Sequence, residues 1–269
     1  MTTRTGATSR RTVPPLWVLV PGVLAAALFA LPLLGLVWRA PWHGSWSRLT
    51  SPDARKALLL SLETSLSATG VALVLGVPLA WLQANVDYPG KRVVRAITTM
   101  PMVLPPVVGG VALLLAFGRR GLVGKPFDQL GVHLPYTTAG AVAAETFVAM
   151  PFMVITLEAA FASVDHRLEH AARTLGASRS RVFWRVTLPL VRPSLVAGSV
   201  LCWARALGEF GATITFAGNL PGTTQTLPLF VFLKLQGTER DSAITLSIVL
   251  LGVSFLVLVA LRDRWLTAR

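Results

Sequence analysis

The sequence predicts an all-α integral membrane protein with six transmembrane helices, and three observations lead there. First, 53% of the 269 residues are hydrophobic and only 14% are charged, with a mean hydropathy of +0.63. A soluble chain carries about a quarter charged residues, so lipid is the main solvent. Second, the apolar residues gather into runs near the length that a helix needs to cross a hydrocarbon core of about 30 Å. Third, the basic residues behind the formal net charge of +13 lie in short stretches between those runs and build no soluble basic surface. That distribution argues against a nucleic-acid partner and for contact with membrane lipids.

The runs fall at Leu16 to Trp38, Ala57 to Leu82, Ala96 to Gly118, Thr138 to Phe161, Leu190 to Ala217 and Ala243 to Leu261. The first follows Arg4, Arg10 and Arg11 as a secretion signal would, but its apolar stretch exceeds the 7 to 15 residues of such a signal, so it reads as a retained anchor. The last is closed by Arg262, Asp263 and Arg264, which suit a headgroup region. Counting Lys and Arg on alternate sides gives fifteen on the side of the N-terminal tail and nine on the other, which predicts cytoplasmic termini. Pro78, Pro101, Pro105, Pro106 and Pro151 fall within spans, where each removes a backbone donor and is expected to bend or break its helix. Gly109 and Gly110 permit close helix contact. Cys202, the single cysteine, excludes an intramolecular disulfide or a cysteine metal cluster.

Residues 163–189 carry the densest pattern. Leu168, Ala171, Ala172 and Leu175 share one face of a short helix, with Asp165 placed to cap its start and Gly176 to end it in a left-handed conformation. A second amphipathic helix is expected from Ser178 through Val182, Phe183 and Val186. Together they form an elbow with an apolar patch rimmed by Arg167, Arg173 and Arg179, suited to a groove on another protein or to the lipid interface. His166 to His170 also fits the His-x-x-Glu-His pattern of zinc peptidases, but the chain offers no third ligand in the required setting. The expectation is therefore no metal site.

This loop resembles that of the permease subunits of bacterial ABC importers. Their motif runs Glu-Ala-Ala, three residues, Gly, nine residues, an aliphatic, one residue, Leu-Pro; Ala171, Ala172, Gly176, Val186, Leu188 and Pro189 match at every spacing. His170 stands where the motif has Glu, with Glu169 one place earlier. The resemblance implies a type I ABC importer transmembrane domain over 56–262, in which 163–189 couples to a separate ATPase subunit. Residues 1–13 and 263–269 would then be cytoplasmic tails, and 14–40 a first transmembrane helix.

Further on, Arg205 and Glu209 stand four residues apart on one helix face inside the fifth run. Two readings remain side by side, an ion pair that fixes packing and a group on the transport pathway. Gly208, Gly211 and Gly218 are expected to let this helix approach a twin. The stretch Ala204 to Phe232 resembles molybdate-uptake permeases closely, and sulfate and thiosulfate permeases more loosely. That likeness implies import of an oxyanion, molybdate ahead of sulfate, by two permease copies fed by an extracytoplasmic binding protein. The chain itself holds no phosphate-cradling loop, since Gly124-Lys125 is followed by Pro126 and has Arg119 where the first Gly belongs. ATP would be used by the partner, and no cofactor is expected here. A competing class, an ion-coupled transporter, would use Glu63, Glu145, Glu158, Arg205 and Glu209 as relay groups.

Overall fold

A computed structural model describes residues 15–266, and the described residues outside loops are helical. Helix α1 (Leu16–Trp38) stands at the edge of the bundle with no buried residue, packed loosely on the last helix. A short α2 (Ser45–Leu49) leads to α3 (Pro52–Asn85), which begins five residues before its apolar run. The cause is local: the Ser51 hydroxyl accepts from the Ala54 N–H, and Pro52 fits the first turn.

The predicted third span is two helices, α4 (Lys91–Val103) and α5 (Pro106–Phe117). Leu104 precedes a proline and is therefore driven to extended backbone, with ψ 132°, which ends α4. The other prolines have less effect, for α3 and α7 continue through Pro78 and Pro151. Beyond α6 (Gly124–Gln129), α7 (Thr138–Ala162) starts at a Thr137 cap, whose hydroxyl accepts from Gly140 N–H at 3.1 Å.

The loop 163–189 forms α8 (His166–Thr174), α9 (Arg179–Val182), a π-helical turn (Phe183–Thr187) and α10 (Leu188–Leu190). From there the chain turns by 71° into α11 (Arg192–Leu207). The predicted fifth span is also interrupted, at Gly208 to Phe210, before α12 (Gly211–Phe216). Helix α13 (Leu227–Gln236) buries Leu227, Leu229 and Phe230, and α14 (Arg240–Leu266) closes the chain. Arg262, Asp263 and Arg264 lie within α14, which runs past the expected end of the span at Leu261. Residues 1–13, read as the N-terminal tail, and 267–269 lie outside the described residues.

Among the described residues four helices, α1, α3, α7 and α14, are long and apolar enough to cross a membrane, and a fifth span arises if the bent segment 179–207 counts as one. The remaining expected span, the third, corresponds to the α4–α5 pair, whose apolar part is only 12 residues long.

The core lies where α3, α7 and α11 meet. Ala68, Ala72 and Ala80 face Ala149, Met153 and Leu157, with Cys202 and Ala206 completing the seam. Small side chains on α3 bring the backbones close, which replaces the hydrophobic drive that is missing between helices in lipid. Hydroxyls on the same helix tie the seam: Thr64 donates to Glu145 Oε1 at 2.8 Å, and Ser65 accepts from the Trp203 indole at 3.0 Å. Ser61 accepts from the Leu227 N–H at 2.6 Å, which fixes the start of α13.

Two of the three glycines predicted to face a twin, Gly211 and Gly218, pack inside the chain, whereas Gly208 is exposed. A Cβ on Gly211 would lie 2.7 Å from Pro106 Cβ, and one on Gly110 would lie 2.5 Å from Thr215 Cβ, so α5 and α12 pack almost backbone to backbone. Gly218 adopts φ +79° with Tyr136 against it.

Candidate functional site

Asp165 caps α8 as expected, its Oδ1 accepting from the Arg167 N–H at 2.9 Å. Gly176 ends it at φ +85° with nothing within 4 Å of where a Cβ would sit, so its backbone, not crowding, requires glycine. Ser178 then caps α9 through the Arg181 N–H.

Helix α8 is amphipathic the opposite way round from a helix that packs on its own core. Leu168, Ala171 and Leu175 are exposed, Leu168 by 48% and Leu175 by 88%, and Ala172 is half-buried on the same stripe. His166, Glu169, His170 and Arg173 turn inward, toward the end of α3. Arg173 and Arg179 accordingly line the inner side and do not rim the apolar patch as expected.

Glu169, the residue displaced by one from the motif position, spans the loop. Its Oε1 accepts from the Thr187 hydroxyl at 2.5 Å, and its Oε2 lies 3.4 Å from His166 Nδ1. Thr187 is buried and immediately precedes Leu188 and Pro189. The carboxylate thus joins the start of the loop to its return, while His170, at the motif's glutamate position, is exposed. Val186 and Leu188 are half-buried, and Pro189 is exposed at the turn into α11. Thr187 was not singled out from the sequence; the only signal for it was its place beside the Leu-Pro pair.

Arg205 and Glu209 form an ion pair, Nη1 to Oε2 at 2.7 Å, with the Glu209 side chain 1% exposed and that of Arg205 29% exposed. Glu209 Oε1 also accepts from the Ala212 N–H at 2.8 Å. One carboxylate therefore neutralises an arginine and satisfies a backbone donor at the break between α11 and α12. Both oxygens are committed, which suits packing better than contact with a passing ion.

No hydrogen bond links one relay carboxylate to another among the described residues. Glu158 pairs with Arg95, Glu145 accepts from Thr64, and Glu63 lines a recess at the opposite end of the bundle with Asp53 and Lys56. Glu145 and Glu158 are thirteen residues apart on one helix, about 20 Å along its axis. Among the described residues no three His, Cys, Asp or Glu side chains converge on a point that could hold a metal.

Residues 72–268 match the family described as binding-protein-dependent transport system inner membrane component. The chain is 44% identical over 250 residues to the molybdenum transport system permease protein ModB of Mycobacterium tuberculosis, covering 93% of this chain and 94% of that one. It is 43% identical to the ModB protein of Escherichia coli K12, over 78% of this chain and 93% of that one. The sulfate transport system permease protein CysT of Salmonella typhimurium is 32% identical, over 95% and 94%. In fold it resembles a chain of a bacterial ABC transporter involved in the import of the acidic polysaccharide alginate, with a TM-score of 0.69 at 20% identity, over 94% of this chain and 96% of that one.

Proposed function

Because this chain belongs to the binding-protein-dependent transport system inner membrane components, we propose that it is the membrane-spanning subunit of an ATP-driven importer whose cargo is molybdate. The likeness to two ModB proteins exceeds that to the sulfate permease, 44% and 43% identity against 32%, and this supports molybdate ahead of sulfate. In this reading the chain is not the ATPase. A separate ATP-binding subunit supplies energy, a binding protein on the outer side delivers the oxyanion, and two copies of this chain enclose the path.

The observation that carries the reading is the outward apolar stripe of α8. Leu168, Ala171 and Leu175 expose an apolar strip beyond the bundle, and exposed apolar strips of this kind suit a protein groove. The loop then works as a rigid lever. Glu169 and Thr187 lock α8 to the return of the chain, Gly176 sets the elbow, and Leu188 and Pro189 pass the motion into α11. ATP binding closes the ATPase pair, draws the two loops together and opens the path outward; hydrolysis resets it. The basic-residue count supports a cytoplasmic position for both termini and for this loop.

Uptake of labelled molybdate and of labelled sulfate, in cells lacking the chain and in cells with it restored, tests the cargo. The expected result is loss of molybdate uptake alone. A defect confined to sulfate overturns the molybdate assignment and leaves the lever intact.

A further inference from the structure

In the docking proposed above, the ATPase meets the outward stripe of α8. The inward stripe, offset by two residues and so by about 200° around the helix, closes a groove of about 760 Å³ against the end of α3. Pro78, Trp81 and Leu82 of α3 form one wall, and Val182 and Phe183 form the floor. Phe183 meets Trp81 edge-on, with ring centroids 6.2 Å apart. His166, His170, Arg173 and Arg179 line the other side, and all four are exposed. The single carboxylate there, Glu169, is already engaged by Thr187 and His166.

We propose that this groove binds an anionic phospholipid of the membrane leaflet that faces the loop. Its headgroup phosphate would sit among Arg173, Arg179 and His170, and an acyl chain would lie along Pro78, Trp81 and Leu82. The groove is graded in the same sense as such a lipid. Pro78 lies seven residues before the end of α3, about 10 Å deeper along the helix, within an apolar membrane span. The arginines belong to the loop beyond the bundle. A free oxyanion matches the arginines but leaves the aromatic wall uncovered. A soluble ATPase seated on Leu168 and Leu175 approaches from the other side of α8. The charge and the apolar wall together fit one molecule with an anionic head and a hydrocarbon tail. The inference rests on the loop lying at the membrane surface and is independent of the cargo.

The test uses the whole transporter, this chain with its ATPase subunit, exchanged into nanodiscs of phosphatidylethanolamine with a minor fraction of phosphatidylglycerol. Native mass spectrometry then measures retained phosphatidylglycerol. We expect Arg173→Gln to lower retention about fivefold and the pair Arg173→Gln with Arg179→Gln about thirtyfold, from the usual surface attraction per basic residue. Arg181→Gln, on the same loop but away from the groove, is expected to leave retention unchanged. A photoactivatable phosphatidylglycerol on the unaltered protein gives a second readout, with crosslinks expected on peptides holding Trp81 and Phe183. Equal retention in the double variant, or crosslinks elsewhere, overturns the proposal. Loss of the ATPase subunit in place of lipid assigns the groove to that protein. Retention of inorganic phosphate or molybdate without lipid assigns it to a free oxyanion, and crosslinks between two copies of this chain assign it to the twin. Failure of molybdate uptake leaves lipid retention untouched, so the two readings fail separately.

Discussion

The Glu169 carboxylate on α8 accepts a hydrogen bond from the Thr187 hydroxyl at 2.5 Å, across eighteen residues of sequence. A charged acceptor on a buried hydroxyl contributes about 1.5 to 3 kcal/mol, enough to decide whether the loop moves as one piece. Glu169→Ala and Thr187→Val are each expected to lower cargo-stimulated ATP hydrolysis of the assembled transporter about tenfold, by the factor that 1.4 kcal/mol represents. The double variant is expected to fall no further than the worse single one, because both remove the same contact. Additive losses would mean that the two residues act separately. His170→Glu, which restores the motif residue at an exposed position, is expected to change hydrolysis by less than either.

Gly176 tests the elbow itself. With φ +85° and no neighbour near its Cβ position, its requirement is conformational. Gly176→Val is expected to cost roughly 1 to 2 kcal/mol of loop order and to weaken copurification of the ATPase subunit. Gly176→Asn, which tolerates the left-handed region, is expected to retain most of it. Ala172→Glu, which places a charge beside the outward stripe without backbone strain, is expected to abolish association. If Gly176→Val and Ala172→Glu both leave association and stimulated hydrolysis unchanged, the lever assignment fails.

What the sequence made legible divides along physical lines. Hydropathy located the runs, because burial in lipid depends on composition. The cap at Asp165 and the left-handed end at Gly176 were legible because their signals are local. The breaks were harder. Leu104 is extended because a proline follows it, a signal diluted by span prolines such as Pro78 and Pro151 that leave their helices unbroken. The interruption at Gly208 to Phe210 depends on the Glu209 carboxylate reaching Ala212, which no spacing rule reveals. The partners of Gly110 and Gly211 belong to tertiary packing, and a glycine pattern alone does not say whether a helix meets its own chain or a twin. The bond from Glu169 to Thr187 needed the fold, because eighteen residues separate its partners.

The ion pair in the fifth span gives a graded series. Arg205→Ala leaves a buried carboxylate without its counter-charge, and Glu209→Ala also frees the Ala212 N–H. Each is expected to destabilise the protein by about 3 to 5 kcal/mol, read as a lower thermal midpoint in detergent. Glu209→Gln keeps an acceptor for Ala212 and is expected to cost less than Glu209→Ala. Arg205→Met combined with Glu209→Gln removes both charges and is expected to recover much of the loss. If stability recovers in that double variant and molybdate uptake recovers with it, the pair fixes packing. If stability recovers while uptake stays absent, the charges belong to the transport path after all.

Glycine packing between α5 and α12 supplies the last contrast. A Cβ at Gly110 would meet Thr215 Cβ at 2.5 Å and the Ala212 carbonyl oxygen at 3.0 Å, both parts of a helix that cannot yield without moving backbone. One at Gly211 would meet Pro106 at 2.7 Å, the rigid residue that opens α5. Gly110→Ala and Gly211→Ala are each expected to cost about 1 to 3 kcal/mol through overpacking. Gly70 and Gly252 have nothing within 4 Å of a Cβ, so alanine there is expected to be neutral or to stabilise by up to about 1 kcal/mol through helix propensity. Thermal midpoints of the four alanine variants in one detergent decide the matter. Equal values would mean that α5 and α12 are not in close contact, and the break at Glu209 would then lose its role of seating α12 against α5.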